Sequence, residues 1–136
     1  MFEFEFFNPT LGPLSVSIAQ YGLTFSRAAV EQLGKPEYIK LGFDKNNLIV
    51  GVAAAEKEDT QAIPFMAKEK NGYVRINSKD FIRFLMRYFP EDYEQRFSEK
   101  SIRYLTYWDE SFKMLIVDLK VRLDKNDEAE SVNEDA

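Results

Sequence analysis

The stretch at residues 16–52, VSIAQYGLTFSRAAVEQLGKPEYIKLGFDKNNLIVGV, constrains this chain most. It reads as strand, short helix, strand, tight turn, strand. Residues 15–19 alternate, with Val16 and Ile18 on one face. Gly22 marks a tight change of direction. Thr24 or Ser26 caps a helix of about residues 26–33, with Ala29, Val30 and Leu33 facing inward. Gly34 suits the left-handed position at its end, and Pro36 stops it. Ile39, Leu41 and Phe43 then alternate against Tyr38, Lys40 and Gly42, which predicts a strand at residues 38–43. Asp44-Lys45-Asn46-Asn47 has hairpin-turn chemistry, since Asn tolerates positive φ. Residues 48–52 return as its partner.

The same order of elements recurs at residues 74–119. Residues 73–76 form a strand, and Asn77 or Ser78 caps a helix of about residues 79–89 that Pro90 ends. Ile102, Tyr104 and Thr106 alternate against Arg103, Leu105 and Tyr107. Asp109-Glu110-Ser111 turns the chain into a last strand at residues 113–123. Outside the two copies, residues 1–7 alternate Phe with Glu in part and predict a strand. The apolar piece Ala62-Ile63-Pro64-Phe65-Met66 belongs at a sheet edge or in a loop, because Pro64 cannot donate to a ladder. The fold class expected is α+β: a small, mostly antiparallel β-barrel or curled sheet with two short helices, built from two related β-α-β-β halves.

Charge divides the chain unevenly. The net charge is −5, and residues 124–136 hold six acids against one base. The body, residues 1–123, is therefore neutral, and is read as one domain with a disordered acidic tail. With 12 Phe and 7 Tyr the body has ample material for a core. No cysteine is present, the N-terminus has no basic region of a secretory signal, and no apolar run approaches the roughly 20 residues of a membrane-spanning helix. A cytoplasmic protein without a membrane partner is the expectation.

Several chemistries are closed to it. With no histidine and no cysteine, Ser–His–Asp and Cys–His arrangements are impossible, and zinc sites lose their usual ligands. Neither a glycine-rich phosphate loop nor an EF-hand loop occurs. The carboxylates of Glu56, Glu58 and Asp59, and of Glu91, Asp92 and Glu94, lie in polar connections and read as solvated loops. No catalytic residue, metal or cofactor is expected.

Binding surfaces remain. Lys79, Arg83 and Arg87 recur every four residues and form one stripe on the second helix, opposite Phe81, Leu85 and Tyr88. Arg75 precedes the stripe. Such a row suits a phosphate backbone, each contact releasing counterions. Tyr104, Tyr107 and Trp108 cluster at the second hairpin with Phe112, alternating with Arg103 and Lys113, a composition suited to stacking on unpaired bases or to a protein partner.

The segment GLTFSRAAVEQLG followed by a two-strand hairpin resembles the AbrB/MazE-type swapped-hairpin family, and the two-copy arrangement is similar to its MraZ branch. The resemblance implies units that pair into a small barrel because one alone cannot bury its apolar face. It further implies a DNA-binding transcription regulator or antitoxin, with Arg27 and the stripe on phosphates. Arg27 keeps the family's basic residue. Ser26 stands where the family commonly has proline, and Val30 where it often has arginine. The chain is also similar to small proteins of Gram-positive bacteria and their phages. The alternative expectation is a phage- or mobile-element-associated interaction module that binds no nucleic acid, using its aromatic patch and the edge at residues 63–66. A monomer with internal pseudo-symmetry and a homodimer are both compatible with such a barrel.

Overall fold

The computed structural model describes residues 2, 4, 12–88 and 101–123. Of the expected N-terminal strand at residues 1–7 only the exposed Phe2 and Phe4 are described. The connection at 91–99 and the tail at 124–136 lie outside the described residues.

The first half opens with a hairpin that differs from the sequence reading. Strand β1 (Val16–Ala19) turns directly into β2 (Gly22–Phe25), which the sequence reading took for a turn and cap. A four-residue strand is too short to display a period. What makes it a strand is Gly22, at φ 147°, where an added Cβ would lie 1.9 Å from the Ile76 carbonyl oxygen. Only glycine admits that close approach of a neighbouring strand. Ser26 then caps helix α1 (Arg27–Leu33), its Oγ accepting from the Ala29 N–H at 3.2 Å, and Gly34 closes it at φ 84°. Ala29, Val30 and Leu33 are buried as the spacing predicts.

A second hairpin follows, β3 (Tyr38–Asp44) with β4 (Ile49–Ala55). Its left-handed residue is Leu48 at φ 53°, not an asparagine; Asn46 and Asn47 instead donate their N–H groups to Asp44 Oδ1. Next come β5 (Ile63–Pro64), a single 3-10 turn at Met66–Lys68, and β6 (Glu69–Lys70). Asn71 and Gly72, both at positive φ, link β6 to β7 (Tyr73–Asn77) in a two-residue turn. Ser78 caps α2 (Lys79–Met86), which ends short of the Phe89 expected from sequence. The last hairpin is β8 (Ile102–Asp109) with β9 (Met114–Arg122).

The nine strands form one antiparallel sheet in the order β5-β3-β4-β9-β8-β1-β2-β7-β6. Its two edge strands, β5 and β6, are separated by only four residues, so the sheet must curl until its ends meet on one stretch of chain. Phe65, between them, is fully buried and meets the Phe25 ring edge-on at 5.1 Å. The fold is therefore α+β, a curled antiparallel sheet with two short helices.

Alternation sorts the sheet into two faces. Val16, Ile18, Leu23, Phe25, Ile39, Val50, Val52, Val74, Ile76, Tyr104, Leu115, Val117 and Leu119 line the inner face and are buried. Among the described residues no helix is long and apolar enough to cross a membrane.

Candidate nucleic-acid interface

Strand register assembles a surface that chain order conceals. Arg103 on β8 lies opposite Ser17 on β1, Ser17 opposite Thr24 on β2, and Thr24 opposite Arg75 on β7. All four alternate with buried neighbours, so they share the outer face. They make a straight row across four strands: arginine, hydroxyl, hydroxyl, arginine. At roughly 4.8 Å per strand the two arginine Cα atoms stand about 14 Å apart.

Next to this row lies a cleft of about 330 Å³, lined by Gly12, Pro13, Ser15, Ser17, Thr24, Ser26, Tyr73 and Arg103. None of these is acidic. The serines of its lining are held by a tie between strand and helix: Ser26 Oγ accepts from the Ser15 N–H at 3.0 Å as well as from Ala29, and Ser15 O accepts from the Ser26 N–H. Ser15 is buried by this tie, while Ser17 is half-buried at the cleft wall.

The cations beside the cleft are seated on rings. The Arg75 guanidinium lies 4.6 Å from the Tyr21 ring centroid, and the Tyr21 hydroxyl is 3.2 Å from Thr24 Oγ1. Arg27, first residue of α1, lies 5.5 Å from the Tyr73 ring centroid and donates from Nε to the Asn71 carbonyl at 3.2 Å. Stacking holds a guanidinium in place without neutralising it. Among the described residues neither Arg27 nor Arg75 forms an ion pair.

A second cavity, of about 310 Å³, sits on the other side of Arg27. There Arg27 and Lys35 share the lining with Glu31 and Glu69, so its charges balance. The Lys35 amine is raised above its ordinary range, first by the hydrogen bond it donates to the Glu31 carboxylate at 2.8 Å and then by that carboxylate's charge. It offers an anion less than the hydroxyl-lined cleft does.

The sequence-predicted residues separate into two regions. Arg27 packs on Tyr73 and Arg75 on Tyr21, and Tyr73 and Arg75 share the outer face of β7. Lys79, Arg83 and Arg87 are exposed on α2, but the helix ends at Met86, so Arg87 is its cap, and Arg83 is paired with Asp80 at 3.1 Å. The inward face of that helix is also shifted: Ile82 and Leu85 are buried, whereas Phe84 and Tyr88 remain exposed and pack against Phe43 at 5.9 and 5.8 Å. The expected partner surface is likewise redistributed. Tyr104 is fully buried in the core, because its strand alternates it inward. Trp108 is half-buried with Nε1 donating to Glu110 at 2.7 Å, which with Lys113 draws the Glu110 carboxyl below its usual range. Tyr107 alone of the three is exposed.

Arg103, Ser17, Thr24, Tyr21 and Tyr73 were not singled out as site residues by sequence reasoning. Their signal is the register of three ladders, which no local pattern carries.

No protein-family model matches this chain, and none of the curated proteins or solved structures compared with it matches either.

Proposed function

We propose that this chain is a non-enzymatic DNA-binding protein of the AbrB-like kind, reading the phosphate backbone with the outer face of β8, β1, β2 and β7. One observation carries this reading: in the row Arg103–Ser17–Thr24–Arg75, with Arg27 beside it, the ring-seated Arg27 and Arg75 adjoin hydroxyl groups, and none of the described residues lining the cleft is acidic. Arginine and hydroxyl side chains are the groups that contact phosphate oxygens, and such contacts give affinity without sequence selection. The α2 stripe serves as a flanking contact, since one of its three cations already has a carboxylate partner.

Fluorescence anisotropy of the full chain with a labelled random duplex, at two salt concentrations, tests the proposal. Binding is expected to weaken steeply with salt, and replacing Arg27, Arg75 and Arg103 together by Ala should lower the log–log salt slope by about 2 to 3. Replacing Lys79, Arg83 and Arg87 together should lower it by about 1 or less. Absence of binding at low salt by a folded chain overturns it.

A second reading, a protein-interaction module without nucleic acid, draws support from the ring cluster of Phe43, Phe81, Phe84 and Tyr88. It gains ground if the triple arginine variant leaves every duplex titration flat and unchanged.

A further inference from the structure

The cleft beside the arginine row has two properties that a surface meant only for a double helix does not need. The first is size. At about 330 Å³ it is near the lower limit for small-molecule sites, and it accommodates a single nucleotide unit. Its lining carries short hydroxyl side chains, Ser15, Ser17, Thr24 and Ser26, together with the long side chain of Arg103.

The second property is an aromatic wall. Tyr73 lines the cleft and is 47% exposed, although it belongs to a strand whose inward residues are fully packed. Arg27 is stacked beside it and the β6–β7 turn backs it; Gly72 there leaves room for Arg27, since a Cβ would lie 2.9 Å from Arg27 Cγ. The ring is thus fixed in orientation next to hydroxyls and guanidinium groups. A fixed aromatic face adjoining a cationic track is the combination that binds unpaired bases and their backbone together. Within a duplex the base faces are covered by their neighbours, and Tyr73 would have nothing to stack on.

We infer that this cleft takes one nucleotide of an unpaired nucleic-acid strand, with its phosphate on Ser17 and Thr24 and its base on Tyr73. The inference rests on the proposed nucleic-acid reading and narrows it from any phosphate backbone to a single strand. Arg75, held over Tyr21 at the far end of the row, takes the neighbouring phosphate.

The test is anisotropy of the full chain at one low salt concentration with two probes: a labelled 12-nucleotide oligothymidylate and a labelled 24-base-pair duplex of mixed sequence. The strand is expected to bind at least about 5-fold more tightly than the duplex. Tyr73→Ala should weaken strand binding by about 10-fold, within the range of one lost base stack, and duplex binding by less than about 2-fold. Tyr73→Phe keeps the ring and should restore strand affinity; thermal melts establish that each variant is folded. Equal affinity for the two probes, or an equal loss for both with Tyr73→Ala, overturns the single-strand inference and leaves the phosphate-reading face standing. Failure of the folded chain to bind either probe overturns both.

Discussion

The two halves of this molecule share a scaffold and differ in what they do with it. Each runs a strand straight into a serine-capped helix, β2 into Ser26 and α1, β7 into Ser78 and α2. Each follows the helix with a hairpin whose loop begins at an aspartate and ends four residues later at a left-handed residue, Asp44 to Leu48 and Asp109 to Lys113. Asp44 accepts from the Asn47 N–H, and Asp109 from the Phe112 N–H at the same place in its loop. The like strands then pair with each other, β2 with β7 and β4 with β9.

The difference lies in one strip of the sheet. In the first half β1 is a continuous strand that pairs with β2 on one side and β8 on the other. The strip that joins β3 to β7 is broken: β5 pairs with β3, β6 pairs with β7, and a 3-10 turn separates them. Around the continuous strand the outer face carries the hydroxyl-arginine row. Near the broken strip lies Phe43, and against it α2 presents aromatic rings that stay partly in solvent. The lesson is that a repeated scaffold does not repeat a surface; ladder continuity decides which side chains form a row.

The largest expected effect breaks the comparison at Phe65, which replaces the missing strand length with a buried ring. Phe65→Ala is expected to cost about 3–5 kcal/mol, because a fully buried aromatic leaves a cavity. Phe84→Ala, on the exposed side of α2, should cost about 1 kcal/mol or less. Urea denaturation of both variants measures the contrast. Gly22→Ala is expected to cost about 3 kcal/mol by the same measurement, since the added Cβ meets the backbone of β7 rather than a side chain able to move. If that variant melts like the parent, the close approach of β2 and β7 is not a constraint on the fold.

The two helix caps give a smaller and sharper comparison. Ser26 Oγ accepts from two backbone N–H groups, one of them at Ser15 just before β1, whereas among the described residues Ser78 Oγ accepts from Phe81 N–H alone at 3.4 Å. Ser26→Ala should therefore cost about 2 kcal/mol and Ser78→Ala about 0.5 to 1 kcal/mol. Equal losses would show that the tie to β1 contributes nothing.

The smallest effect concerns acid. Asp44 is held below its usual range, first by the hydrogen bond from the Asn47 side chain and then by the Asn47 N–H. A depressed folded-state pKa contributes stability above the ordinary carboxylate value and loses it as pH falls through the folded value. Thermal melts of the parent and Asp44→Asn should differ slightly at neutral pH and converge in strong acid. A difference that persists or grows in acid contradicts this role for the carboxylate.

Much of the architecture was legible because the forces that set it are local. The serine caps, Gly34, the Asn71-Gly72 turn and the alternation of Ile102 and Thr106 are each dictated within a few residues, by free N–H groups, positive φ and period-two burial. Leu48 was not legible, since an aspartate that captures two N–H groups moves the left-handed residue one place beyond the asparagines. On α2 the stripe was readable, but which aromatics lie inward depends on where the helix meets β3.

Sequence alone determined the fold class, the neutrality of the body with an acidic tail, and the absence of histidine and cysteine chemistry. These follow from composition and short-range stereochemistry. Only the tertiary structure decided that β2 is a strand, that Tyr104 is core, and that Arg103, Ser17, Thr24 and Arg75 form one row. Those residues are up to 86 positions apart in the chain, and they meet because three antiparallel ladders fall in a particular register. Register is set by the sum of the apolar pairs on the buried face, so the surface it creates on the opposite face cannot be read from any one segment.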